Sequence, residues 1–128
     1  DFGVLLGLAF QIQDDYLDAF GDPKDFGKQV GGDIIENKKT ILYHKAMELG
    51  SPLEKKTLIE WFSFDGNKTD KITAVKAIFD STGAALASQK LVSKYTQLAF
   101  EKLEEIQISD DGKKTLKAFG NNLMERKF

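Results

Sequence analysis

An apolar run from Val4 to Ile12 leads directly into Asp14-Asp15-Tyr16-Leu17-Asp18. This junction constrains the fold more than any other stretch. Val4, Leu5, Leu8, Ile12 and Tyr16 keep helical spacing, while Leu6, Ala9, Phe10 and Leu17 fill the remaining faces. A helix from about Gly3 to Ala19 that is apolar on most sides belongs in the middle of a bundle. If it continues through the acids, Asp14 and Asp18 are four residues apart and Asp15 and Asp18 three apart, so all three carboxylates share one face. Like charges so placed repel by about a few tenths of a kcal/mol per pair on an isolated helix. A divalent cation or a basic ligand is the natural compensation.

The residues that follow supply the second half of that idea. They read Gly21-Asp22-Pro23, Phe26-Gly27-Lys28, Gly31-Gly32-Asp33-Ile34 and Asn37-Lys38-Lys39-Thr40. Carboxylates followed by spaced glycines and lysines suggest a magnesium–diphosphate site.

The rest of the chain keeps a helical period, with no period-2 strands. A glycine-rich loop covers Gly21 to Gly32, with Pro23 as breaker. Asp33 to Glu36 fits a capping-box variant opening a second helix that ends at Gly50, with Asp33 as its N-cap. Ser51-Pro52 caps a short helix through Leu58, Ile59 and Trp61-Phe62, and Asp65-Gly66-Asn67 is a turn. A helix from Thr69 through Ile72, Val75, Ile78 and Phe79 is interrupted at Gly83. A long helix then runs to about Ile106, with Ala87, Leu91, Tyr95, Leu98 and Leu103 at core positions. After Ser109-Asp110-Asp111-Gly112 comes a last helix carrying Leu116, Phe119 and Leu123. The expectation is an all-α bundle of five or six helices.

Composition narrows the function classes. With 128 residues, 41% hydrophobic and 30% charged, the chain has the length and balance of one globular domain. A net charge of -2 and the lack of a basic, aromatic-laced stripe argue against a nucleic-acid surface. Without cysteine there is no disulfide, thiolate metal site or cysteine nucleophile. The longest apolar run is too short to span a membrane. The chain opens at Asp1 without an initiator methionine, and that start is expected to be a truncated or processed end.

Phe10-Gln11-Ile12-Gln13-Asp14-Asp15-Tyr16-Leu17-Asp18, taken with Gly21-Asp22-Pro23, Gly27-Lys28, Gly32-Asp33-Ile34 and Asn37-Lys38 at this spacing, resembles the trans-isoprenyl diphosphate synthases. These are the polyprenyl synthetases of the farnesyl and geranylgeranyl diphosphate synthase type. An isolated D-D-x-x-D is a weak signal, but the ordered set over some thirty residues is specific. The match is to the family's second aspartate-rich motif and the loop after it; beyond Thr40 the likeness is only general. The resemblance implies an isoprenoid-synthase-like helical bundle and a prenyltransferase that condenses isopentenyl diphosphate with an allylic diphosphate. It also implies Mg2+ as cofactor, a cytoplasmic setting and a homo-oligomer, with neither a nucleic-acid partner nor a membrane span.

Residue roles follow from the same resemblance. Asp14 is the best candidate for direct contact with magnesium, with Asp15 and Asp18 completing the metal site through water or from behind the direct ligand. Lys28 and Lys38 match the two lysines that contact the diphosphate, where compact cations balance charge on the leaving group. Gln11 matches the glutamine whose amide oxygen faces the developing allylic cation, although an ordinary polar residue would also fit there. Asp33 would orient Lys28 or metal-bound water besides capping its helix. Phe10 fits either the core or the wall of a prenyl channel. Lys39 fits the surface, His44 the surface or the core. Arg126 and Lys127 match a basic C-terminus or simply favour a helix's last turn.

Against the family pattern, the first aspartate-rich motif, the basic motif for isopentenyl diphosphate and the lysine–threonine helix are absent. The resemblance therefore implies that residues 1–128 are the C-terminal part of a single polyprenyl synthetase domain, inactive when isolated. The alternatives are a terpene cyclase or squalene/phytoene-type synthase, or a catalytically silent, synthase-like interaction subunit.

Overall fold

The computed structural model describes residues 1–21, 31–106 and 108–125. Within them the chain forms seven helices and no strand: α1 (Phe2–Phe20), α2 (Gly32–Ile35), α3 (Ile41–Leu49), α4 (Pro52–Phe62), α5 (Lys68–Ser81), α6 (Ala84–Glu105) and α7 (Asp110–Met124). Local chemistry explains most boundaries. The Asp1 side chain accepts from the Val4 N–H at 3.1 Å and so starts α1. Ser51 and Glu54 form a reciprocal capping box at the head of α4, at 3.2 and 3.0 Å, with Pro52 in its first turn. Asn67 caps α5 through the Asp70 N–H, and Ser109 caps α7 through that of Gly112.

One boundary differs from the sequence expectation. The second helix foreseen from Asp33 to Gly50 is two helices, α2 and α3, separated by a turn. Asn37 adopts a left-handed backbone (φ 58°), which an α-helix does not tolerate, and the Lys38 N–H folds back onto the Asp33 carbonyl at 2.9 Å. The chain restarts at Thr40, the N-cap position of α3. Asp33 is therefore not an N-cap: Gly31 occupies that position, and Asp33 lies in the first turn of α2.

α1 packs most extensively along α6. The two run antiparallel: Tyr16 near one end of α1 accepts from Gln89, and Phe2 at the other end lies 6.1 Å from the Phe100 ring. Two apolar clusters follow. One joins the C-terminal end of α1 to α2–α5 and the start of α6, around Leu42, Leu58, Val75 and Phe79. The other joins the N-terminal half of α1 to the far end of α6 and to α7, around Phe2, Leu6, Ala99 and Leu103.

On α6 the buried positions are Ala84, Ala85, Ser88, Ala99 and Leu103, so Leu103 is in the core as expected. Ala87, Leu91, Tyr95 and Leu98 are only half-buried. Small residues take the buried stripe because α1 lies close along it. On α7, Leu116 and Leu123 pack inward, but Phe119 is exposed and Gly120 takes the buried place.

Candidate functional site

The last turns of α1 present Asp14, Asp15 and Asp18, all half-buried, as their spacing demands. α2 is seated directly on them. The Asp33 backbone N–H donates to Asp18 Oδ2 at 2.8 Å, and the Gly31 N–H donates to the Asp18 carbonyl. Gly31 makes this approach possible. Its φ is +91°, and a Cβ there would stand 2.8 Å from Ile72 Cδ1 on α5.

Gln11, one turn before the acids on the exposed side of α1, donates through Nε2 to Asp15 Oδ1 at 3.1 Å. From the turn after α2, Lys38 Nζ comes within 3.9 Å of Asp33 Oδ1. Gln11, Asp14, Asp15, Asp18, Asp33 and Lys38 are thus gathered where α1 ends and α2 begins. Lys28 lies outside the described residues, as do Arg126 and Lys127. Lys39 is exposed beside the Tyr43 ring at 5.5 Å, and His44 is exposed and edge-on to the same ring at 5.6 Å.

The electrostatics follow from partial burial of several acids around one described lysine. Burial pushes the Asp15 carboxyl up, and the negative charge of Asp33 adds to this. The Gln11 amide, the Lys38 charge and the Ile41 backbone N–H oppose the shift without cancelling it. Burial likewise pushes Asp18 up, with Asp33 and Asp14 adding to it, against the Asp33 N–H and Lys38. For Asp15 and Asp18 burial thus outweighs the groups that favour the charged form, and a nearby cation would lower both again.

Among the described residues, no three acids close into a metal cage. That is compatible with magnesium, which keeps several waters and takes one or two carboxylates together with phosphate oxygens. The oxygens of Asp14, Asp15 and Asp18 are donors of the chemical type that ion takes.

Phe10 points elsewhere. With Phe2, Leu6 and the α7 residues Leu116, Phe119 and Leu123 it lines an apolar groove of about 460 Å³ between α1 and α7. Leu6, Phe10 and Asp14 follow one another at four-residue steps, so the groove's α1 wall leads toward the acid turn.

Lys71 is a further residue of this region that no motif marks. This side chain is buried, and its Nζ donates to Asn37 Oδ1. A usable signal was present, since Lys71 precedes Val75 and Phe79 at four-residue steps on the buried stripe of α5.

Comparison with known proteins matches residues 1–82 to the polyprenyl synthetase family model. A short chain isoprenyl diphosphate synthase of Methanothermobacter thermautotrophicus is 36% identical over 127 residues, covering 98% of this chain and 38% of that protein. A geranylgeranyl diphosphate synthase of Saccharolobus solfataricus is 34% identical over 128 residues, covering 99% of this chain and 38% of its own length. A crystal structure of geranylgeranyl pyrophosphate synthase superimposes with a TM-score of 0.88 at 46% identity, over 100% of this chain and 40% of that one. The chain therefore spans well under half the length of these relatives, and its all-α arrangement is that of the superimposed synthase.

Proposed function

The chain belongs to the polyprenyl synthetase family, the family of the prenyl diphosphate synthases, and from that premise we propose that residues 1–128 are the C-terminal part of a synthase domain and carry its second diphosphate-binding motif. The parent reaction would break the C–O bond of an allylic diphosphate, the electron pair leaving with diphosphate. The double bond of isopentenyl diphosphate then attacks the allylic cation to form the new C–C bond, and loss of a proton from the resulting cation restores a double bond and completes the condensation. The relatives are isoprenyl and geranylgeranyl diphosphate synthases, which favours elongation over cyclisation.

The observation that carries the reading is the acid turn of α1, with Asp15 and Asp18 pushed up by burial and α2 bringing Lys38 toward it through Asp33. Asp14 would hold magnesium directly, with Asp15 and Asp18 holding it directly or through water; when bound, the ion would neutralise charge on the diphosphate oxygens. Lys38, together with Lys28, would contact those oxygens and balance the leaving group. Asp33 orients Lys38 from one side while its backbone N–H fixes Asp18. Gln11 commits its amide nitrogen to Asp15, which leaves the amide oxygen as the end able to face positive charge on the allylic carbon. The groove beside Phe10 offers apolar wall for a prenyl tail, and such a wall excludes water that would quench the cation.

Calorimetry with pyrophosphate, with and without magnesium, tests the proposal. Each should tighten binding of the other, because the metal bridges carboxylate and phosphate oxygens. Asp14→Ala and Lys38→Ala should each weaken the joint complex by about tenfold or more. Equal pyrophosphate affinity in both conditions, or an undiminished Asp14→Ala variant, would overturn it.

A further inference from the structure

Among the described residues Lys71 is the one buried charged side chain, at 4% exposure. Its described surroundings compensate an ammonium only in part, with one neutral acceptor and one aromatic ring and no described carboxylate paired to it. It lies in the first turn of α5, where the helix dipole disfavours a cation. Its described neighbours are the Asn37 Oδ1 that accepts from Nζ and the Phe62 ring, 5.9 Å from Nζ to centroid. A methionine would fill similar space without the cost of desolvating a charge.

Asn37 explains the retention. Among the described residues it is the one non-glycine residue with positive φ, and it immediately precedes Lys38. The next link is the Lys38 N–H, which donates to the Asp33 carbonyl. Asp33 in turn donates its own N–H to Asp18. An unbroken set of contacts thus runs from α5 through the left-handed turn to the acid turn of α1.

We propose that Lys71 is a positioning residue that, through its hydrogen bond to Asn37, holds the α2–α3 turn so that Lys38 is aimed at a bound diphosphate. The inference rests on the diphosphate reading above. It adds to it a residue remote from the ligand.

Two variants of the full chain test it, with magnesium pyrophosphate as probe. Lys71→Met removes the donor and keeps the bulk. Asn37→Gly removes the acceptor from an exposed site while still permitting positive φ, and it decides the matter should Lys71→Met fail to fold. Both should lose about tenfold in pyrophosphate affinity, the usual scale for a group that orients a ligand-binding side chain. Neither should weaken a Lys38→Ala background further, and hydrogen exchange at the Lys38 amide should accelerate in both. Lys39→Ala, next in sequence but outside this set of contacts, should bind as wild type.

A merely structural lysine would lower the melting temperature yet leave the Lys38 amide exchange and the pyrophosphate affinity unchanged. Losses additive with Lys38→Ala would equally overturn the proposal. If the wild type does not bind magnesium pyrophosphate, the diphosphate reading falls, whereas faster Lys38 exchange in the variants still upholds the dependence of the turn on Lys71.

Discussion

Asp18 shows how a single residue serves two ends that conflict. Its Oδ2 accepts the Asp33 N–H that seats α2, yet burial makes its ionised form costly. Asp15 is in the same position. Because their folded pKa values are raised, the folded chain holds these protons more tightly than the unfolded chain does. The penalty is absent below the unfolded carboxylate pKa and grows as pH rises through the folded values, above which it is complete. Asp18→Asn keeps an oxygen for the Asp33 N–H and removes the charge. Without divalent ions it should melt roughly a few degrees higher than wild type at neutral pH. The gap should close as the pH is lowered through the raised pKa range. Magnesium should narrow it as well, by stabilising the wild type more than the variant. Scanning calorimetry over a pH series reads both effects, and a pH-independent gap would count against the account.

At the level of elements, the placement of α7 depends on a missing side chain. Gly120 is buried where α7 meets α1 and α6, and a Cβ there would stand 3.0 Å from Phe100 Cε1 and 3.5 Å from Leu6 Cδ2. A glycine within a helix costs stability, and at this position the space a larger residue's Cβ needs is already taken by Phe100. Leu116 and Leu123 pack on either side of it, and Gln13 Nε2 donates to the Met124 carbonyl at 2.6 Å, tying the end of α7 to α1. Gly120→Leu should overfill this contact and cost about 1–3 kcal/mol in urea unfolding. Amide exchange should rise along α7 while the α3–α5 amides keep their protection. Uniform loss of protection would show instead that α7 is inseparable from the rest of the bundle.

Taken whole, the molecule leaves apolar surface uncovered on the helix at its centre. Val4 is 61% exposed and Leu8 45%, whereas Leu5 is half-buried against the second cluster. Burying one such side chain contributes roughly 1.5–3 kcal/mol, so a second copy packed on this face would be stabilised appreciably. The isolated chain should therefore self-associate. Val4→Glu with Leu8→Glu should abolish this in sedimentation equilibrium without disturbing the core, and a wild-type monomer at high concentration would refute it. The short span bears on chemistry as well, because the chain covers 38% of the length of the two archaeal synthases and contains one aspartate-rich motif. Purified alone, it should incorporate no labelled isopentenyl diphosphate into prenyl products. Steady turnover would mean that one motif suffices.

The sequence by itself determined what depends on local backbone physics. The apolar period of α1, its run into Asp14, Asp15 and Asp18, the capping box at Ser51 and Glu54, and the turn at Asn67 all follow from spacing and side-chain reach within a few residues. Gln11 meets Asp15 for the same reason, being one helical turn away. Tertiary structure decided the rest. The left-handed break at Asn37, the seat of Asp33 on Asp18, the hydrogen bond from Lys71 to Asn37 and the inward place of Gly120 each arise between segments far apart in the chain. No periodicity encodes such contacts, because they exist only once α2, α5 and α7 have packed around α1.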